Sequence, residues 1–241
     1  PEEAYATLSR KAPGKLRIGI VLDELAGARI DPEVAAAVEA AGRKLAELGH
    51  TVDRAKADMG GDETLRATTD LFFFGFDLRL DGYAKRSGHK PGPDTLEPTI
   101  HSVYQHAKEI TPARFLAAMN TLNVARRKLA QVFTKFDIWL SPTTSRVSER
   151  WGNYHLSKPG VGWHNIIDEL FRIPVQFTIP HNIMGTPAMS LPLAMHSTGV
   201  PIGVQIAAKP AAEHLVLQVA NQLEEAMPWK GRIPPLHVSK A

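Results

Sequence analysis

Residues Asn182 to Gln205 read NIMGTPAMSLPLAMHSTGVPIGVQ. An Asn-x-x-Gly-x-Pro-Ala turn feeds a short apolar strand from Ala188 to Leu193, a polar turn carries Gly199, and a second strand begun by Pro201 runs from Ile202 to Ala208. Two apolar runs joined by a polar, glycine-bearing turn make a hairpin. The upstream sequence supplies βα layering to pack on this pair, and an amphipathic helix from Ala211 to Ala226 closes over it. The expected fold is α/β: a mixed β-sheet flanked by α-helices.

Working upstream, Leu16, Ile18, Ile20 and Leu22 alternate with Arg17, Gly19, Val21 and Asp23, a dense apolar run expected of a buried parallel strand. Asp31 is placed to cap the next helix and Pro32 stands where a first turn tolerates proline. Val34, Ala37, Val38, Ala41, Leu45 and Leu48 then recur at helical spacing until Gly49. Thr51 to Ala55 reads as a second strand, completing a right-handed βαβ unit. Helix-compatible sequence follows from Glu63 to Arg86 with an aromatic cluster at Phe72, Phe73, Phe74 and Phe76, and Ser87 to Pro93 is a Gly/Pro break. Two more helices are expected, from Glu97 to Glu109 and from Thr111 to Lys135, the latter capped by Thr111-Pro112. Phe136 to Leu140 reads as a buried strand that Pro142 stops, residues 145 to 163 as a long loop, and His164 to Leu170 as a helical segment.

The chain has 241 residues, enough for a sizeable core without staples. With no cysteine, disulfides, Cys-ligated metal and a thiol nucleophile are excluded, and a reducing, cytoplasmic setting is the expectation. Apolar runs such as Leu71 to Phe74 fall far short of the ~20 residues that span a bilayer, so no membrane partner is expected. Nor is nucleic acid, since 28 basic residues against 25 acidic ones are dispersed and the one basic triplet, Arg126-Arg127-Lys128, sits in a helical pattern as a solvated face. The chain starts at Pro1 rather than Met, and its first fifteen residues read as a connecting segment, as expected of a processed or truncated product.

Local motifs supply no catalytic set. His101 and His106 are five apart, off the spacing that presents two imidazoles to one metal, and neither HExxH nor His-x-His occurs. Ser87-Gly-His-Lys90 fits Ser-x-x-Lys but lies in the Gly/Pro break, where a helical turn would not return Lys90 to Ser87. The pair Gly160-Val-Gly162 lacks the ending of a phosphate loop. Adjacent carboxylates such as Asp168-Glu169 point about 100° apart on a helix and do not converge.

A longer pattern is more informative. Asn182, Gly185, Pro187, Ala188, Ser190, Pro192 and Leu193, then Gly199, Pro201, Gly203, Val204 and Gln205, then Glu213 to Trp229, resemble the C-terminal part of amidase signature enzymes. Phe136-Asp137 with Leu140 to Thr143 resembles that family's strand ending in a Pro-Thr turn, and Leu16 to Ile20 with Asp31 to Val34 its βαβ segment. Leu96-Glu97-Pro98 leans towards the branch that includes 6-aminohexanoate-cyclic-dimer hydrolases. The resemblance implies one α/β domain over residues 1–241, with 1–15 a connecting segment and 16–241 the C-terminal amidase-like region.

It also implies a chemistry: hydrolysis of carboxamide C–N bonds through a serine acyl-enzyme, with a second Ser, a Lys base and no cofactor. No Gly/Ser-rich nucleophile segment exists in this sequence, so no catalytic residue transfers to it. A serine without its base is a poor nucleophile. The chain is therefore expected to supply scaffold and part of a pocket for a small-molecule amide, and to be inactive alone. The expected pocket residues are Phe73, Phe76, Trp151, Trp163, Phe177 and Asn182, although core aromatics give the same signal and Asn182 also reads as a turn residue before Gly185. Half of a sheet leaves unpaired edges, which favours an N-terminal catalytic companion or a homo-oligomer. The competing reading is a non-catalytic binding or interaction protein derived from half of an amidase fold.

Overall fold

The structure, a computed structural model, describes residues 3–153, 160–234 and 236–238. Its centre is a mixed five-stranded sheet in the order β2-β1-β3-β5-β4. The strands are β1 (Arg17–Ile20), β2 (Thr51–Arg54), β3 (Ile138–Pro142), β4 (Ala188–Met195) and β5 (Pro201–Ala208). β1 pairs parallel with β2 and β3, whereas β5 runs antiparallel to both β3 and β4. β3 is thus the strand where the two pairing modes meet.

Alternation along β3 explains how the sheet is buried. Ile138 and Leu140 face one apolar cluster and Trp139 faces another, all three without solvent exposure. The first cluster is covered by α2 (Pro32–Glu47) and α10 (Glu213–Ala226). The second lies under α6 (Pro112–Ala130), α7 (Val132–Lys135) and α9 (Ile179–Met184). The Asp31 carboxylate caps α2 by accepting from Glu33 N–H at 2.8 Å and Val34 N–H at 3.4 Å. Thr111 Oγ1 does the same for α6, accepting from Arg114 N–H at 3.1 Å.

Four elements differ from the sequence expectation. The helix expected from Thr111 to Lys135 is interrupted at Gln131 and forms α6 and α7. The helical run after Glu63 is two helices, α3 (Gly61–Phe73) and α4 (Phe76–Ser87), because Gly75 takes a φ of 71° that ends one helix and starts the next. Pro142 does not stop its ladder: it pairs with Val204, and Thr143 N–H still donates to Gly203 O at 3.1 Å. Leu140 O accepts from Val21 N–H on the β1 side, so Pro142, two residues on, turns its donorless nitrogen to that same side, past the end of β1. Finally, the segment before Asn182 is a short α8 (Trp163–Asn165) running into a π-helical turn, Ile166–Arg172, which sequence periodicity does not reveal.

The expected loop from 145 to 163 lies partly outside the described residues, at 154–159. α5 (Pro98–Ala107) packs beside α3 and α4. The first fifteen residues contain one helical turn, α1 (Tyr5–Leu8), tied to α10 by Gln218 Nε2–H donating to Leu8 O at 2.9 Å and Asn221 Nδ2–H to Ser9 O at 2.7 Å.

Candidate functional site

α3, α6, the π-helical turn and α9 stand around a cavity of about 540 Å³. Its walls are mostly apolar, with Leu71, Phe72, Leu122, Phe171 and Ile179 among them, and Asn123, Arg126 and Asn182 supply its open polar groups. Phe72 and Phe171 approach with ring centroids 5.9 Å apart. An apolar cavity with few polar groups is the usual form of a small-molecule site.

Polar clamps hold these walls. Asp70 accepts two hydrogen bonds from Arg114, at 2.8 Å from Nε and 2.6 Å from NH2, fixing α3 to α6. Such a bidentate pair sets orientation as well as distance. Arg172 ends the π-helical turn and spends its guanidinium on three partners: Asp168 Oδ1 at 2.9 Å, Asp62 Oδ1 at 2.8 Å and Ala26 O at 2.6 Å. Gln176, wholly buried, accepts from Ala26 N–H at 3.0 Å and donates to Ala28 O at 2.9 Å, tying the loop after β1 to the segment before α9. Gln205 Nε2–H donates to Phe177 O at 2.8 Å and to Ser141 Oγ at 3.3 Å, tying that segment to β5 and β3.

α9 presents Asn182 on one side and His181 on the other. Gly185 ends the helix with φ of 67°, its N–H returning to His181 O. Asn182 is therefore helical rather than a turn residue; its Nδ2–H donates to Thr178 O at 3.2 Å. His181 is buried against Trp139 at 5.2 Å, with Nδ1 2.9 Å from Thr186 Oγ1. Burial lowers its pKa to about 4, so the ring is neutral at physiological pH.

The six residues expected to form a pocket do not converge. Asn182 lines the 540 Å³ cavity. Trp163 lines a neighbouring polar cavity of about 330 Å³ with Asp70, Arg114 and Arg172, and stacks on His106 at 3.5 Å. Phe73 packs edge-on against the same His106 at 6.5 Å, and Phe76 lies 6.5 Å from Phe73 under the Arg79 guanidinium. Burial first, and the Arg114 charge second, hold His106 below the usual histidine range. Phe177 is wholly buried in the core beneath β5, and Trp151 is 95% exposed. Neither of these two lines the cavity. Phe72, Phe171, Asn123 and Arg126 do, and sequence had marked only the cluster containing Phe72.

Ser190 lies on the exposed face of β4 with its Oγ 2.5 Å from Thr143 Oγ1. That contact pairs two hydroxyls and supplies no base. Among the described residues no group of three or more His, Asp or Glu side chains is placed to hold a metal ion, and no helix is long and apolar enough to cross a membrane.

The sequence profile of the amidase family matches residues 1–217. The chain belongs to the amidase family. It is 34% identical over 240 residues to a 6-aminohexanoate-cyclic-dimer hydrolase of Pseudomonas sp. (strain NK87), covering 96% of this chain and 48% of that protein. With the enzyme of the same name from Paenarthrobacter ureafaciens it shares 33% over 238 residues, again 96% and 48% of the two chains. A solved structure of 6-aminohexanoate cyclic dimer hydrolase complexed with substrate superposes with a TM-score of 0.87 at 31% identity, over 98% of this chain and 50% of that one. A bacterial aryl acylamidase of the amidase signature family, 19% identical with a TM-score of 0.80, shares the fold. This amidase-family chain thus spans about half the length of the relatives it matches.

Proposed function

We propose that this chain is the scaffold and pocket-forming half of an amidase that hydrolyses carboxamide C–N bonds through a serine acyl-enzyme, and that it is inactive alone. The observation that carries the reading is the clamped apolar cavity bearing Asn182, in a chain with no Gly/Ser-rich nucleophile run. The cavity receives the acyl part of a small-molecule amide, and the serines and lysine of the chemistry come from an N-terminal catalytic portion outside these 241 residues. Exposed apolar side chains on the helical layer, Phe72, Leu78 and Leu116 among them, fit association with that portion.

The test is direct. Purified chain incubated with simple aliphatic and aryl amides should release no ammonia above a heat-killed control. Release above that control sinks the inactivity. The intact mass of the native protein, set beside its open reading frame, tests the companion: residues preceding Pro1 in that mass support it, and a native mass equal to these 241 residues refutes it.

A further inference from the structure

The basic triplet Arg126-Arg127-Lys128 has a use the family resemblance does not give it. Arg127 and Lys128 lie in the last turn of α6, where cations suit the free carbonyls, and Lys128 also pairs with Asp58 at 3.1 Å. Arg126 lines the cavity instead. It is the only ionisable side chain among the fourteen that line it, and among the described residues it has no carboxylate or hydrogen-bond partner. Asn123, three residues earlier on the same face of α6, also has an uncommitted amide. Of the three arginines that line the neighbouring polar cavity, Arg114 and Arg172 are engaged with Asp70, Asp62 and Asp168, and Arg66 is exposed.

The other polar wall groups are largely spent internally. Thr68 donates to Thr64 O, Thr178 donates to Val175 O, and Asn182 gives one amide hydrogen to Thr178 O, leaving its Oδ1 to accept. A ligand that satisfies this wall needs an apolar body, a donor for Asn182 and an anionic group for Arg126. Guanidinium and carboxylate match geometrically; Arg126 is exposed, so their attraction is partly screened by water and salt.

From this we infer that the substrate is an amide whose acyl part has an apolar body and carries a carboxylate, seated on Arg126 and Asn123. The inference rests on the acyl-pocket reading above and adds the charged terminus. Its test is binding to the chain itself, by calorimetry, of the monoamide of suberic acid and of octanamide, which differ in that one group. The monoamide should bind about tenfold tighter at low salt, with the margin shrinking as ionic strength rises. Arg126→Gln should abolish the margin and Arg127→Gln should keep it, with circular dichroism confirming that both variants fold. Equal binding of the two ligands, or a margin that survives Arg126→Gln, overturns the charged terminus and leaves the acyl pocket standing. If neither ligand binds, the acyl pocket fails with it.

Discussion

Replacing Gln176 tests whether the clamps, rather than apolar contact alone, hold the cavity wall. Gln176→Leu keeps the volume and removes both hydrogen bonds. Ala26 is 2% exposed and Ala28 is 7% exposed, so the Ala26 N–H and the Ala28 carbonyl are left buried without partners. Each orphaned group costs about 1–3 kcal/mol, giving about 2–6 kcal/mol for the pair. For a chain of this size ~1 kcal/mol moves Tm by about 2–4 °C, so a drop on the order of 10 °C is expected. Urea denaturation followed by tryptophan fluorescence reads the free energy, and the midpoint should fall with m unchanged. A loss below about 1 kcal/mol would refute the reasoning, because water or a shifted loop would then be satisfying both groups.

Three more outcomes are expected. Because burial lowers the His181 pKa from 6.5 to about 4, the unfolded chain binds the extra proton between those values; His181 therefore contributes full stability above about pH 6.5, lost as pH falls towards 4, worth up to about 3 kcal/mol. His181→Gln should flatten the stability profile between pH 4.5 and 6.5 relative to the parent, and an unchanged slope would rule the residue out. Gly19→Ala should cost about 1–3 kcal/mol in chemical denaturation, since a Cβ there would stand 2.8 Å from Ala55 Cβ and from the Phe136 ring. Gly203→Ala would place a Cβ 2.8 Å from both Ser190 Oγ and Thr143 Oγ1, and should lower the melting temperature by prying that hydroxyl pair apart; an unchanged melting temperature would mean the strands absorb the methyl group.

The framework was legible because its signals are local. Asp31-Pro32 and Thr111-Pro112 announce their helices through side-chain oxygens that act within three residues, and the same oxygens cap α2 and α6 in the structure. The alternation in Leu16 to Leu22 likewise fixed β1, and Pro201 began β5 as expected. The cavity was harder, because its walls come from four elements whose faces depend on long-range pairs such as Asp70 with Arg114 and Gln176 with Ala26. Phe73 and Phe177 carry the same composition signal as Phe72 and Phe171, and only tertiary packing sends the first pair elsewhere. The π-helical turn was invisible for a related reason: pairing five residues back is a choice no propensity encodes, and just past the turn Val175 N–H also reaches back five residues to Leu170 O.

The sheet order has a kinetic consequence. The β4–β5 hairpin closes over a few residues and can form early, and β1 finds β2 across one helix. β3 must be captured by β1 over a far longer span: Arg17 holds Asp137, 120 residues away, through its own N–H and two guanidinium bonds. Loop closure of that length is entropically costly and slows the search, so the two ends of the chain acquire structure before the strand that unites them is seated. Until then the face that later covers Trp139 is open to water, and that interval is when the chain is most exposed to aggregation.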